Sequence, residues 1–256
     1  ARKNPTAWFE CFPVCARGAG GGMTMLLQHG VMAQAEARPD ATAIVFKGGR
    51  TTYRELEEDS NRLANALQES GCVPGDRVAI LMPKMPAAIV AMLGVLKAGC
   101  CYVPLDPADA PARLSRILET ADCACILAAG HVGPVLRNIM GAASLERAPR
   151  VGWLDAEPAA ETDPNVAFTF SDLQGMSAAP FRCAADGDDI AHMLFTSGST
   201  GTPKGVMIRH RNVLHFIRWA SSYFGISPGD RISQHPPLRF DVSTFDVFGA
   251  LWAGAE

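Results

Sequence analysis

The sequence predicts an α/β fold, a sandwich of mostly parallel β-sheets with packed helices. Three observations carry that reading. From Ala41 onward, short β-branched or apolar runs alternate with segments of helical spacing. The helical segments stop at or just before glycines, at Gly71 and Gly99. The helix-then-strand unit then repeats, as in sheets whose strands are joined by crossover helices. In order, "ATAIVF" (41–46) and "TTY" (51–53) flank Gly48-Gly49 as a hairpin. "RELEEDSNRLANALQES" follows as a helix, with Leu56, Leu63, Ala64 and Leu67 on its apolar face. "RVAILM" is a strand, "PAAIVAMLGVLKAG" a largely buried helix, "CYVPL" a strand, "PARLSRILETA" a helix and "CACIL" a strand. Residues 130–185 have weaker patterns and receive no assignment. The first 22 residues lack periodicity and any apolar core of signal-peptide length, and are expected to be a leader or linker ahead of a domain over 23–256.

Composition narrows the partners. A net charge of -3 leaves no whole-chain basic field to hold nucleic acid or an anionic membrane, so a small soluble partner is expected. The longest apolar stretches, such as "AAIVAMLGVL", fall short of the ~18 to 20 residues that cross a bilayer. Eight cysteines contain no C-x-x-C pair and sit mostly in apolar surroundings, which suits reduced core thiols in a cytoplasmic protein. His210 and His215 are five apart and do not share a helix face, so no protein-built metal site is expected.

The densest chemistry lies in Thr196–Gly205, "TSGSTGTPKG", with five hydroxyls, three glycines and one lysine in ten residues. It follows the apolar run "IAHMLF". Gly198, Gly201 and Gly205 can take positive φ and let backbone N–H groups approach a ligand. The hydroxyls of Thr196, Ser197, Ser199, Thr200 and Thr202 can donate to phosphate oxygens, and Lys204 adds a compact positive charge. Together they form an anion cradle. The competing reading is a flexible Ser/Gly linker, which a position between two apolar strands disfavours. A Walker loop is disfavoured as well, because Pro203 and Gly205 flank the lysine and the strand "VMI" follows it. The helix comes only after "RHR", with Val213, Phe216, Ile217, Ala220 and Phe224 on one face.

"FTSGSTGTPKGV" resembles the phosphate-binding signature of the AMP-forming adenylating enzymes, which include acyl-CoA synthetases, luciferases and the adenylation domains of nonribosomal peptide synthetases. "TTYRELEEDSNRLANAL" (51–67), "LKAGCCYVPLDP" (96–107) and "RFDVSTFDVFGAL" (239–251) are similar to further motifs of that family, in its order, and stand closest to the amino-acid-activating branch. The resemblance implies the N-terminal part of the large domain of that fold. It also implies attack of a carboxylate on the α-phosphorus of ATP, giving an acyl-adenylate and pyrophosphate, with Mg²⁺ neutralising part of the phosphate charge. Residues 196–202 and Lys204 would hold the β and γ phosphates, with Lys204 as the catalytic group. The acceptor in the intact protein would be a phosphopantetheine thiol on a peptidyl carrier domain.

"FDVSTFDVFGALW" carries the substrate side. Ser243 and Asp246 fit a capping box, with a helix beginning near Thr244. Asp241 lies just outside it, where it is either a cap or turn residue or, as the resemblance implies, the carboxylate that pairs with a substrate α-ammonium. Val242 and Phe245 would line the side-chain pocket or serve as core, and an apolar or small substrate side chain would fit. His235 is taken as a surface or packing residue. The family's later motifs would lie past Glu256, so a piece incomplete for catalysis is expected. Two other readings stay open: an acyl-CoA or aryl-acid ligase of the same superfamily, and a noncatalytic nucleotide-binding remnant.

Overall fold

The computed structural model of the chain describes residues 25–155, 165–180, 185–197 and 203–256. The expected leader, residues 1–22, lies outside them. Helix α1 (Leu27–Ala37) precedes an antiparallel hairpin of β1 (Thr42–Phe46) and β2 (Gly49–Thr52). Its turn is Lys47-Gly48, with φ of 48° and 83°, the two positive values that a type I′ turn needs. The second strand stops at Thr52, one residue short of the expected Tyr53, because Thr52 caps helix α2 (Tyr53–Glu69). Thr52 Oγ1 accepts the Glu55 N–H at 3.2 Å, and the Glu55 carboxylate accepts the Thr52 N–H at 2.7 Å.

Next come β3 (Arg77–Leu81), α3 (Pro86–Lys97), β4 (Cys101–Leu105), α4 (Pro111–Ala121) and β5 (Cys125–Ala128), in the order expected. The unassigned stretch supplies α5 (Gly133–Ala142), β6 (Arg150–Trp153), β7 (Val166–Phe168) and α6 (Phe170–Gly175). After them stand β8 (Ile190–Ser197), β9 (Pro203–Arg209) and α7 (His210–Phe224), then a π-helical turn (Phe245–Gly249) that runs into α8 (Ala250–Ala253). The central sheet has seven strands in the order β7-β6-β5-β3-β4-β8-β9. All its pairings are parallel except β8 with β9.

Alternation along the strands divides the core into two layers. Val78, Ile80, Cys125 and Leu127 enter the layer built with α1, α2, α3, α6 and α7, while Ala79, Leu81, Ile126 and Ala128 face α4 and α5. Helices α2 and α3 pack so closely that a Cβ on Gly94 would sit 2.7 Å from the Leu63 side chain. Glycine is required there for space. The same layer buries Lys97, whose ammonium pairs with Glu57 at 2.8 Å and donates to Asn61 Oδ1 at 2.7 Å. Burial holds that ammonium down at about 8, against the raising effect of Glu57. The ammonium is tolerated there because it also donates to the Glu57 carbonyl at 3.1 Å.

Candidate functional site

In open α/β sheets, ligands bind in the crevice beyond the carboxyl ends of the strands. Here β3, β4 and β8 are neighbours, so the segments leaving Leu81, Leu105 and Ser197 meet at one end of the sheet. The predicted phosphate loop is the connection from β8 to β9. These strands pair antiparallel, with Thr196 opposite Lys204 and Ser197 opposite Pro203, which is the strand–loop–strand arrangement that the sequence indicates. Directly opposed residues share a face, so Thr196 and Lys204, both exposed, present a hydroxyl and an ammonium side by side. Gly198, Ser199, Thr200, Gly201 and Thr202 lie outside the described residues.

Gly205 has a different role from the one expected. It is an extended strand residue opposite Phe195 without positive φ, and a Cβ there would lie 2.7 Å from Met193 Sδ and 3.0 Å from the Phe195 ring. Its missing side chain makes room for β8 side chains.

The substrate-side residues gather on one turn. Asp241 is exposed, and its Oδ1 accepts the Val242 N–H at 2.8 Å while its carbonyl accepts the Thr244 N–H at 2.9 Å. Val242 is 58% exposed, which removes the core reading for it. Phe245 is half-buried, with the rings of Phe216 and Phe224 centred 6.1 and 5.9 Å away. That contact explains a departure on α7, where Val213, Ile217 and Ala220 are buried as expected but Phe216 and Phe224 stand on an outer stripe. The capping box is also absent. Ser243 Oγ donates to the carbonyls of Leu238 and Phe240 at 3.1 and 2.6 Å, and the Asp246 carboxylate accepts the His235 N–H at 3.3 Å. Burial pushes the Asp246 carboxyl up, with the His235 N–H opposing it. His235 is exposed, as expected, and its carbonyl accepts from Lys84 Nζ at 2.6 Å.

Four charged residues that the sequence reading passed over join these two groups. Asp106 and Asp109 follow β4, Arg113 lies in the first turn of α4, and Arg239 lies two residues before Asp241. Arg239 reaches Asp106 at 3.4 Å and Asp109 at 3.3 Å, and Arg113 reaches Asp109 at 3.6 Å and the Phe195 carbonyl at 3.1 Å. The i, i+4 spacing of Asp109 and Arg113 was a legible signal. The partnership with Arg239 was not, since it spans 133 residues from Asp106.

A groove of about 420 Å³ elsewhere runs from Ile44 to Asp246 and Glu256, and its walls include none of Thr196, Lys204 and Asp241. Among the described residues no three His, Cys, Asp or Glu side chains are grouped as metal ligands, and no helix is long and apolar enough to cross a membrane. Cys72, Cys100, Cys101, Cys123 and Cys125 are buried thiols.

Comparison with known proteins gives the family of the chain. Surfactin synthase subunit 2 of Bacillus subtilis (strain 168) is 36% identical over 223 residues, covering 87% of this chain and 6% of that protein. Phenyloxazoline synthase MbtB of Mycobacterium sp. (strain MCS) is 37% identical over 231 residues, covering 90% of this chain and 18% of that protein. The chain thus spans a small part of the relatives it matches. Among solved structures, the nonribosomal peptide synthetase FmoA3 superposes with a TM-score of 0.75 at 32% identity, over 100% of this chain and 24% of FmoA3. A form of FmoA3 bound to α-methyl-L-serine-AMP matches equally, with a TM-score of 0.75. VinN, at 22% identity and a TM-score of 0.77, shares the fold over 91% of this chain and 55% of its own. The family model for "AMP-binding enzyme" matches residues 31–256, and the chain belongs to the family of AMP-binding enzymes.

Proposed function

We propose that this chain is the part of an amino-acid-activating, AMP-forming ligase that grips the phosphates of ATP and the ammonium of the amino acid. The observation that carries the reading is the pairing of Thr196 with Lys204 across a hairpin at the carboxyl end of the sheet, joined by ion pairs to the turn bearing Asp241. Thr196, Ser197, the loop 198–202 and Lys204 would hold the β and γ phosphates. As the substrate carboxylate attacks the α-phosphorus, negative charge moves onto the departing pyrophosphate, and a fixed ammonium with hydroxyl donors stabilises it without having to reorganise. Asp241 is exposed and free of any ion pair among the described residues, so its carboxylate is open to a substrate ammonium, with Val242 and Phe245 beside the substrate side chain. Fatty and aryl acids have no such cation to offer. FmoA3, with an amino acyl-AMP bound, and the peptide-synthetase relatives support the amino-acid branch.

ATP suits this donor set. Mg²⁺ is a poorer fit to the described residues, because Asp106 and Asp109 are committed to Arg239 and Arg113, so no step here is routed through the metal. In the intact protein a phosphopantetheine thiol on a carrier domain would take the acyl group, with residues 23–256 as the N-terminal part of the activating domain. Buried thiols suit a reducing, cytoplasmic setting.

The test is ATP–pyrophosphate exchange by the intact protein with panels of amino, fatty and aryl acids. Exchange with an amino acid, weakened at least ~tenfold in kcat/KM by Asp241→Ala, is expected. Exchange with fatty or aryl acids alone would assign an acyl-CoA or aryl-acid ligase. ATP binding without exchange would assign a noncatalytic nucleotide-binding protein.

A further inference from the structure

The hydrogen-bonded ladder that joins the hairpin of Thr196 and Lys204 to the rest of the sheet is short. The ladder between β4 and β8 has one register pair, Tyr102 with His192, four residues before Thr196. Past that point Arg113 supplies a tie, donating from Nη2 to the Phe195 carbonyl at 3.1 Å. The arginine is itself held. Its Nε lies 3.6 Å from Asp109 Oδ2, an oxygen that is buried and accepts no hydrogen bond, so the guanidinium charge is its partner.

The other oxygen of the same carboxylate faces the substrate turn. Asp109 Oδ1 lies 3.3 Å from Arg239 Nη2, while Arg239 Nε lies 3.4 Å from Asp106 and the guanidinium covers the Phe240 ring at 4.6 Å. Arg239 and Phe240 lead directly into Asp241. One carboxylate therefore touches both arginines, one gripping β8 at Phe195, the residue before Thr196, and the other the residues that lead into Asp241. Its side chain is 16% exposed and those of Arg113 and Arg239 are 27% and 29% exposed, so the contacts are less screened than surface pairs are.

We propose that Asp109 is a positioning residue that sets the two substrate sites relative to each other, holding β8 through Arg113 and the Asp241 turn through Arg239. The proposal rests on the amino-acid-activating reading above. Removing the charge lets both ends drift, so a change on one side of Asp109 is felt by the substrate on the other. Binding couplings of this kind are reciprocal. A merely structural role would lower stability and leave the cross-effects absent.

The experiment uses the intact protein in ATP–pyrophosphate exchange, with the KM for ATP and for the amino acid measured separately and folding followed by thermal melting. Asp109→Asn is expected to raise both KM values by about threefold or more at a temperature where it remains folded. Arg239→Ala should raise the KM for ATP, and Arg113→Ala the KM for the amino acid, although each lies on the opposite side. The charge-retaining variants Arg113→Lys and Arg239→Lys should recover part of each effect and serve where the alanine variants do not fold. A lowered melting temperature with both KM values unchanged, or effects confined to the near substrate, would overturn the proposal. Wild-type protein that exchanges with no amino acid would overturn the reading beneath it, and is recognised before any variant is compared.

Discussion

The two ends of the central sheet are made from opposite chemistries. At the amino ends of β3, β4 and β5 the chain places Cys72, Cys100, Cys101, Cys123 and Cys125, all buried. At the carboxyl ends it places Lys84, Asp106, Asp109, Thr196 and Arg239, all charged or hydroxylic, and none fully buried. Parallel strands permit this separation, because every strand enters at one end and leaves at the other. The closed end gathers buried thiols, with an ion pair of Arg77 and Asp122 at its rim. The open end is where backbone turns, charges and ligands can meet. The thiols differ among themselves: burial pushes Cys101 and Cys123 up to about 12, whereas a hydrogen bond from Cys125, opposed by burial and helped by Ser70 and Arg150, holds Cys72 down.

The comparison can be broken at either end. The largest effect is expected from Lys204→Ala, since a charge-assisted hydrogen bond contributes ~1.5 to 3 kcal/mol. Exchange should fall at least ~tenfold while the melting temperature barely moves, because Lys204 is exposed. An unchanged exchange rate would remove Lys204 from the site. The closed end should behave inversely. Cys125→Ser buries a hydroxyl at a position of 0% exposure and should cost ~1 to 3 kcal/mol, or a drop of roughly 2 to 10 °C in Tm, with KM values intact.

Between the ends, His192 sits on β8 at 2% exposure against the Tyr102 ring, and burial holds its imidazole down at about 4. The sign follows from proton counting. Between pH 6.5 and 4 the unfolded chain binds this proton and the folded chain does not, so stability is lost as pH falls through that window. Unfolding free energies from denaturant titrations at pH 7 and 5.5 should differ by about 1 kcal/mol more in the wild type than in His192→Phe. The slope that remains should include His210, which burial likewise holds down at about 4. The smallest effect concerns thiol labelling. Alkylation of Cys72, followed by mass spectrometry, should set in at lower pH than that of Cys101 and Cys123, and Cys125→Ala should move its onset upward. Equal labelling of all three would erase the distinction among the thiols.

The sequence made the middle of the fold legible because residues 53–128 repeat strong periodicities, each run bounded by a cap, a proline or a glycine. Over 130–185 it gave no assignment: β7 and α6 have three and six residues, too few to display a period, although α5, with ten, was long enough to be read. At the site, the hairpin of Thr196 and Lys204 was readable from local residues alone. The positive φ expected of Gly205 is not taken, because its neighbours Met193 and Phe195 belong to the facing strand and need the space. Ser243 and Asp246 had the spacing of a cap, but other acceptors and donors claimed them. Arg113, Asp109 and Arg239 were missed for a related reason: a partnership formed across a fold leaves little trace in neighbouring letters.

The strand order β5-β3-β4-β8 also bears on how the chain is built during synthesis. Strands β3, β4 and β5 come from one continuous stretch and can pair as soon as they leave the ribosome, but β8 is made after α5, β6, β7 and α6. Throughout that interval β4 has a bare hydrogen-bonding edge. That edge is where the hairpin of β8 and β9 must dock, so a nascent chain that stalls before Ile190 presents a sticky strand.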